Sequence, residues 1–228
     1  MGTYFNKYPL LVASSAALLS CAGAVHAGGL DRTGQSLSPL FEKGRYLSLE
    51  VQHTRPSVHG VDVRGQSTGN VLANYAHWGF AYKQDITPRL SAAVLLTRPF
   101  GLSLDYGDAH NALVSGTYAA LKTQEIMGIG RYRWNARWAT HAGLRIQQSQ
   151  GSTRLDGPGY GPLNGYQVQF HKSTEPGYVL GLTYERPEMA LRVAATYYSA
   201  ITHKVKTQEN TLPFTSTRTT SKSPQSFN

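Results

Sequence analysis

Trp138-Ala139-Thr140-His141-Ala142-Gly143-Leu144-Arg145-Ile146-Gln147 separates into two sets of residues. Trp138, Ala142, Leu144 and Ile146 occupy one parity, and His141, Arg145 and Gln147 the other. Side chains alternate across a strand with period two, so this stretch is a strand with one apolar face and one polar, charged face. The same split recurs in Leu90, Ala92, Val94 and Leu96, and in Leu191, Val193, Ala195 and Tyr197. Arg89, Ser91 and Arg192 fall on the opposite parity. A water-soluble sandwich packs its apolar face inward, whereas a transmembrane barrel turns that face to lipid and keeps its charges in the lumen.

Extending the test along the chain gives about seven strands, near residues 46–53, 72–83, 89–98, 124–134, 138–149, 178–185 and 190–199. The apolar parity carries no group that is ionised at neutral pH. The other holds Glu50, Lys83, Arg89, Glu125, Arg131, Arg133, Arg145, Glu185 and Arg192. Asp85-Ile86-Thr87-Pro88, Asn135-Ala136-Arg137 and Arg186-Pro187-Glu188-Met189 supply tight-turn chemistry between paired strands. The remaining connections, over 54–71, 99–123 and 150–177, are long and glycine-rich. Short turns at one end and long loops at the other is the habit of outer-membrane barrels, and compact soluble domains seldom carry several such loops. Tyr82, Tyr132, Trp134, Trp138 and Tyr184 lie on the apolar parity beside the short turns, as an interfacial aromatic girdle requires. The expected fold is therefore all-β, an antiparallel transmembrane β-barrel.

Composition agrees with that expectation. The 228 residues are 40% hydrophobic and 15% charged, with 23 glycines and 14 tyrosines. A barrel is only moderately apolar because half of its wall faces water. Lys7, the apolar run from Leu10 to Leu19, and Val25-His26-Ala27 before Gly28 form a secretory signal over 1–27. Cys21, the single cysteine, falls within it, so the exported chain has no disulfide. The formal charge of +9 falls to +8 without Lys7. No basic-aromatic motif for nucleic acid accompanies that charge, and for an exported protein it suits anionic lipid or carboxylate ligands.

Further motifs fall in a recognisable order: Arg98-Pro99-Phe100-Gly101, Gly130-Arg131-Tyr132-Arg133-Trp134-Asn135, Ala142-Gly143-Leu144-Arg145 and Tyr197-Tyr198-Ser199-Ala200-Ile201. In this order the chain resembles the FadL/TodX outer-membrane transporters of long-chain fatty acids and other hydrophobic compounds, from residue 28 to about residue 210. The resemblance implies a fourteen-stranded barrel plugged by an N-terminal hatch, with capture of ligand among the extracellular loops and lateral release into the membrane. It implies binding and diffusion without a cofactor. Partners on this reading are hydrophobic small molecules such as fatty acids, outer-membrane lipid, and the barrel-insertion machinery during biogenesis. The location is the bacterial outer membrane.

Residues 28–44 form a short plug-like segment lacking the Asn-Pro-Ala motif common near that end, and 45–210 form the partial barrel. Residues 211–228 are a polar tail whose last six look like the lead-in to a further strand. Seven strands of an expected fourteen make an incomplete barrel, the N-terminal half of a transporter. An odd antiparallel set has no ordinary closure, and an open edge in lipid leaves unpaired backbone groups.

For a carboxylate clamp the candidates are Arg131, Arg133 and Arg145, since a guanidinium presents a planar fork to a carboxylate. The competing reading pairs them with Glu125 or Glu185. For apolar capture the candidates are Phe100 and Leu102 in the segment 99–123, and Tyr160 and Phe170 in 150–177. The competing reading has them packing the loops or extending the strands. The eight histidines lack zinc-type spacing, and no motif surrounds a nucleophile, so no metal or catalytic residue is assigned. Two other functions fit the same architecture: a general diffusion porin, and an adhesin-like barrel that binds partners through its loops.

Overall fold

The computed structural model describes residues 35–107, 109, 112–210, 216–223 and 226–227. The secretory signal expected over 1–27 lies outside the described residues. The strands are β1 (Tyr46–Thr54), β2 (His59–Val61), β3 (Ser67–Asn70), β4 (Tyr75–Asp85), β5 (Leu90–Thr97), β6 (Gly101–Asp105) and β7 (Tyr118–Arg133). They continue as β8 (Trp138–Leu155), β9 (Tyr166–Arg186), β10 (Leu191–Tyr198), β11 (Ile201–Glu209), β12 (Ser216–Ser223) and β13 (Ser226–Phe227). One antiparallel sheet runs in the order β1-β4-β5-β7-β8-β9-β10-β13, with β6 beside β7, β11 beside β9 and β12 beside β11. The fold is all-β, as the alternation requires.

All seven expected strands are present, and the sheet adds to them. β6 continues the line of β5 along β7, and β11 continues that of β10 along β9. β12 pairs with β11 while β13 pairs with β10, so together they lay down an eighth line. The polar tail therefore enters the sheet at Ser216 rather than only leading toward a strand at its end. β1 and the β12–β13 line each have one neighbour among the described residues, so the sheet is open.

The long connections are the main correction. Much of 99–123 and 150–177 is strand: β7 begins at Tyr118, β8 runs to Leu155 and β9 starts at Tyr166. Pairing of β8 with β9 is maintained from Trp138↔Tyr184 to Leu155↔Tyr166. A single bulge interrupts it, where His171 and Lys172 oppose Gln150. The alternation that announces a strand needs an apolar parity, and beyond Ile146 both parities are polar (Gln148, Gln150, Ser152). Within 54–71 the connection likewise carries the β2–β3 hairpin.

Exposure fixes the direction of the two faces. Leu144 is 73% exposed while its neighbour Arg145 is 1% exposed. Leu49, Val51, Val94, Ile126, Leu180 and Val193 are exposed, whereas Lys83, Glu125, Arg131, His141 and Gln147 are buried. Burying a leucine or valine is worth about 1.5–3 kcal/mol, so a protein in water would be built the other way round. On β8 the apolar parity runs from Trp138 to Ile146, nine residues or about 27 Å, the length of a tilted membrane-crossing strand. Aromatic pairs mark both limits: Tyr132–Trp134 (5.0 Å between centroids) and Trp138–Tyr184 (4.9 Å) at the short turns, and Tyr178–Tyr197 (6.1 Å) at the other side.

The charged face is covered by the described part of the N-terminal segment, residues 35–44. Pro39 favours a single 3-10 turn, Ser38–Phe41, closed by the Leu40 N–H donating to the Leu37 carbonyl at 2.9 Å. Leu37, Leu40 and Phe41 pack with Ala81, Ala93, Leu95, Met127 and Ile129 in the apolar core of this face. The turn lies against β1, β4 and β5, while Gln35 reaches Ser226 on β13 at 3.3 Å. Eight strand lines laid flat would span roughly 34 Å, far more than the few residues between these contacts can bridge. The sheet is curled around the segment.

Candidate functional site

The inner face carries two ion-paired clusters, each tied to the N-terminal segment. In the first, Arg131 of β7 holds Glu185 of β9 at 2.8 Å, and Arg192 of β10 holds the other Glu185 oxygen at 2.7 Å. Both guanidinium groups lie over the Phe41 ring, Arg131 at 5.1 Å and Arg192 at 5.0 Å from its centroid. His141 meets the same ring edge-on at 5.8 Å and bonds Thr196 at 3.0 Å. Glycine is required at position 181, opposite His141 in the β8–β9 register. A Cβ there would collide with the His141 ring and stand 2.6 Å from the Ala195 carbonyl.

The second cluster is centred on Arg145 of β8. Its guanidinium pairs with Glu125 at 3.4 Å, donates to the Gln35 side-chain oxygen at 3.2 Å and to the Ser199 carbonyl at 2.7 Å, and lies over the Tyr198 ring. Gln147 donates to Glu125 at 2.9 Å, and His203 bonds Gln147 at 3.0 Å. Tyr198 donates its hydroxyl to the Gln35 carbonyl at 2.6 Å. Lys83, near the short-turn end, donates to the Glu42 and Gly44 carbonyls at 2.7 and 3.0 Å. Cations of the wall thus fasten the segment that covers them.

Of the three candidate arginines, Arg131 and Arg145 are buried and matched to Glu185 and Glu125, the two acids that the competing sequence reading named. Arg133 lies at the short-turn end, 35% exposed, with Asp85 at 4.0 Å. The three do not converge on one point. Among the apolar candidates, Leu102 and Phe170 are brought into one row. Leu102 pairs with Leu121, Leu121 with Gly151, and Gly151 with Phe170, across β6, β7, β8 and β9. Glycine is needed at position 151 because a Cβ there would stand 2.8 Å from the Ala120 carbonyl, while Phe170 and Leu121 would lie at ordinary contact distance. Phe100 is buried one strand-break away, its backbone N–H and carbonyl both bonded to the Thr123 hydroxyl at 2.9 and 2.6 Å. Tyr160 stands apart, in the short helical connection Pro158–Leu163.

Phe41, Gln35, Tyr198, Gln147 and His203 were not among the candidate site residues. Phe41 and Gln35 belong to an irregular segment without periodicity, where only the cluster Leu37-Ser38-Pro39-Leu40-Phe41 ahead of β1 hinted at burial. Gln147 and His203 are uncharged in sequence terms and gain their importance only from Glu125. The described residues contain no group of three or more His, Cys, Asp or Glu arranged to hold a metal ion.

No protein-family model and no curated protein matches the chain. Among solved structures it is similar to a FadL homologue of Pseudomonas aeruginosa, with 14% identity and a TM-score of 0.48. The likeness covers 72% of this chain and 44% of that one, so the chain spans less than half the length of that protein.

Proposed function

We propose that this chain forms part of an outer-membrane β-barrel that binds hydrophobic compounds, long-chain fatty acids among them, and passes them inward by diffusion. The observation that carries the reading is the inversion of the sheet: a charge-free apolar band outside, bounded by aromatic pairs, over an interior of ion pairs. Such a wall is stable in lipid and costly in water. The segment 28–44 acts in this reading as a plug, seated by Phe41 and Gln35. Leu102, Phe170 and Phe100 line the apolar approach from the side of the longer connections, with Tyr160 in the connection above. Arg145 lies six residues before Gly151 on β8, toward the short turns, roughly 20 Å away, a distance that an extended long-chain acid spans. A ligand carboxylate would meet Arg145 in competition with Glu125, or Arg131 in competition with Glu185. Arg133 is the guanidinium at the exit.

Vesicles containing the full chain test this directly. Saturable uptake of a fluorescent long-chain fatty acid, weakened by Phe170→Asp, is the expected result. Passage of a labelled small sugar without fatty-acid binding would replace the proposal with a diffusion porin. Passage of neither would leave the adhesin-like barrel.

A further inference from the structure

Beyond the apolar band, on the side away from the short turns, the outer face changes character. Pairing of β7 with β8 is unbroken from Tyr118↔Arg154 to Arg133↔Ala139, so the even positions of both strands face outward throughout. Above Ile126 and Ile146 those positions become Gln124, Lys122 and Ala120 on β7, and Gln148, Gln150 and Ser152 on β8. Lys122 pairs with Gln150, and Gln150 is the residue that the bulged His171–Lys172 of β9 opposes. The bulge turns both of these side chains outward, and both are exposed. One line further, β11 alternates with Ile201, His203, Val205 and Thr207 buried and Lys204 and Lys206 exposed. Lys222 on β12, paired with Thr202, is exposed as well.

Neighbouring strands are about 4.8 Å apart, so these cations form a belt across five adjoining lines, with β8 contributing Gln150 and Lys222 standing four residues nearer the apolar band than Lys206. It sits four residues above Ile126, on the order of 10 Å along the membrane normal once strand tilt is allowed for. That is the depth of the lipid headgroups. None of these lysines is engaged in an ion pair among the described residues. The nearest carboxylates on this face stand higher and are occupied: Asp105 accepts the Gly107 N–H at 2.8 Å, and Asp156 holds Arg154 at 2.6 Å. The bulge also hollows the wall. A cavity of about 590 Å³ opens there, lined by Tyr118, Lys122, Gln150, Ser152, His171 and Lys172.

We infer that this belt binds the phosphate groups of anionic lipid in the leaflet on the side of the longer connections, with the bulge cavity as its principal seat. Lys122 and Lys172 flank the cavity, Gln150 and Ser152 supply neutral hydrogen-bonding groups on its floor, and Lys204, Lys206 and Lys222 extend the positive field to the next lipid. Aromatic rings at Tyr178 and Tyr197 lie beneath the belt, where acyl chains begin. The inference rests on the membrane reading of the band, and the experiment separates the two.

The full chain is reconstituted in phosphatidylcholine, and binding of fluorescent phosphatidylglycerol is compared with that of fluorescent phosphatidylcholine. The comparison is repeated with the variant carrying Lys122→Gln, Lys172→Gln, Lys204→Gln and Lys206→Gln. A preference of at least about tenfold for the anionic lipid, falling as salt is raised and abolished in the variant, is expected. A variant that retains the preference overturns the inference. So does displacement of the lipid by equimolar inorganic phosphate, which would make the cavity a free-phosphate site. Quenching of Trp134 and Trp138 by brominated lipid, read on the same samples, reports the membrane band alone. Its absence in the unmutated chain would sink the membrane reading itself and, with it, the lipid belt.

Discussion

Glu125 and Arg145 are almost wholly buried, 1% and 0% exposed at their side chains, and each is the other's charge partner. Removing one leaves the other desolvated, which costs about 3–5 kcal/mol in a buried pair, whereas replacing both by apolar groups can be nearly neutral. Glu125→Ala is therefore expected to lower stability in detergent by that amount, and adding Arg145→Met to restore much of it, as read by denaturant unfolding. Phe41 is a second test at this scale. Its ring sits among two guanidinium groups and His141, so Phe41→Ala should cost about 3 kcal/mol and expose residues 35–44 to protease. The charges of both clusters were legible in the sequence, because strand parity put them on one face. Glu125 and Glu185 were foreseen as partners, but not which arginine meets which acid, because Arg131–Glu185 and Arg192–Glu185 link residues whose proximity depends on strand register.

Strand β8 shows what a single element decides. Ala142→Arg places a charge in the middle of the outward apolar parity, and in lipid this is expected to cost roughly 2–4 kcal/mol. The same change on a water-exposed surface would stay within about 0.5 kcal/mol, so unfolding in vesicles distinguishes the two settings. The β2–β3 hairpin offers a pH test outside the membrane band. Asp62 accepts the Gln66 N–H at 2.9 Å, the Leu113 N–H at 2.9 Å and the Arg64 N–H at 2.8 Å, joining the hairpin to the connection before β7. The bond from Gln66, then that from Leu113, hold its carboxyl below the ordinary carboxylate value of 3.8. A lowered pKa stabilises the folded form above the unfolded value, and that contribution is lost as pH falls through the folded value. Amide exchange at Leu113 and Gln66 should accordingly quicken below about pH 3.8, and at neutral pH in Asp62→Asn. Unchanged exchange would remove Asp62 as the pin. The upper halves of β7, β8 and β9 were illegible as strands for a physical reason: beyond Ile126 and Ile146 the outward positions turn polar, so no apolar parity marks them.

At the scale of the whole molecule, eight strand lines curl around residues that precede them all. The split of the sheet into an apolar and a charged face, the apolar band of about nine residues and the aromatic residues beside the short turns were determined by the sequence alone. Each depends only on parity along a strand and on which residue types tolerate lipid. Brominated-lipid quenching of Trp134, 61% exposed, and Trp138, 43% exposed, should be strong for lipids brominated near the headgroup and weaker for those brominated at the chain end. Equal quenching at both depths would contradict a girdle. Register, bulges and the seating of the N-terminal segment were decided only by the tertiary structure. The row Leu102–Leu121–Gly151–Phe170, the matching of Arg145 to Glu125, and the lysine belt around the His171–Lys172 bulge each depend on the register of one strand against the next. Such contacts are set by how the lines slide past one another and how far the sheet curls, and neither is written in the period of any single strand.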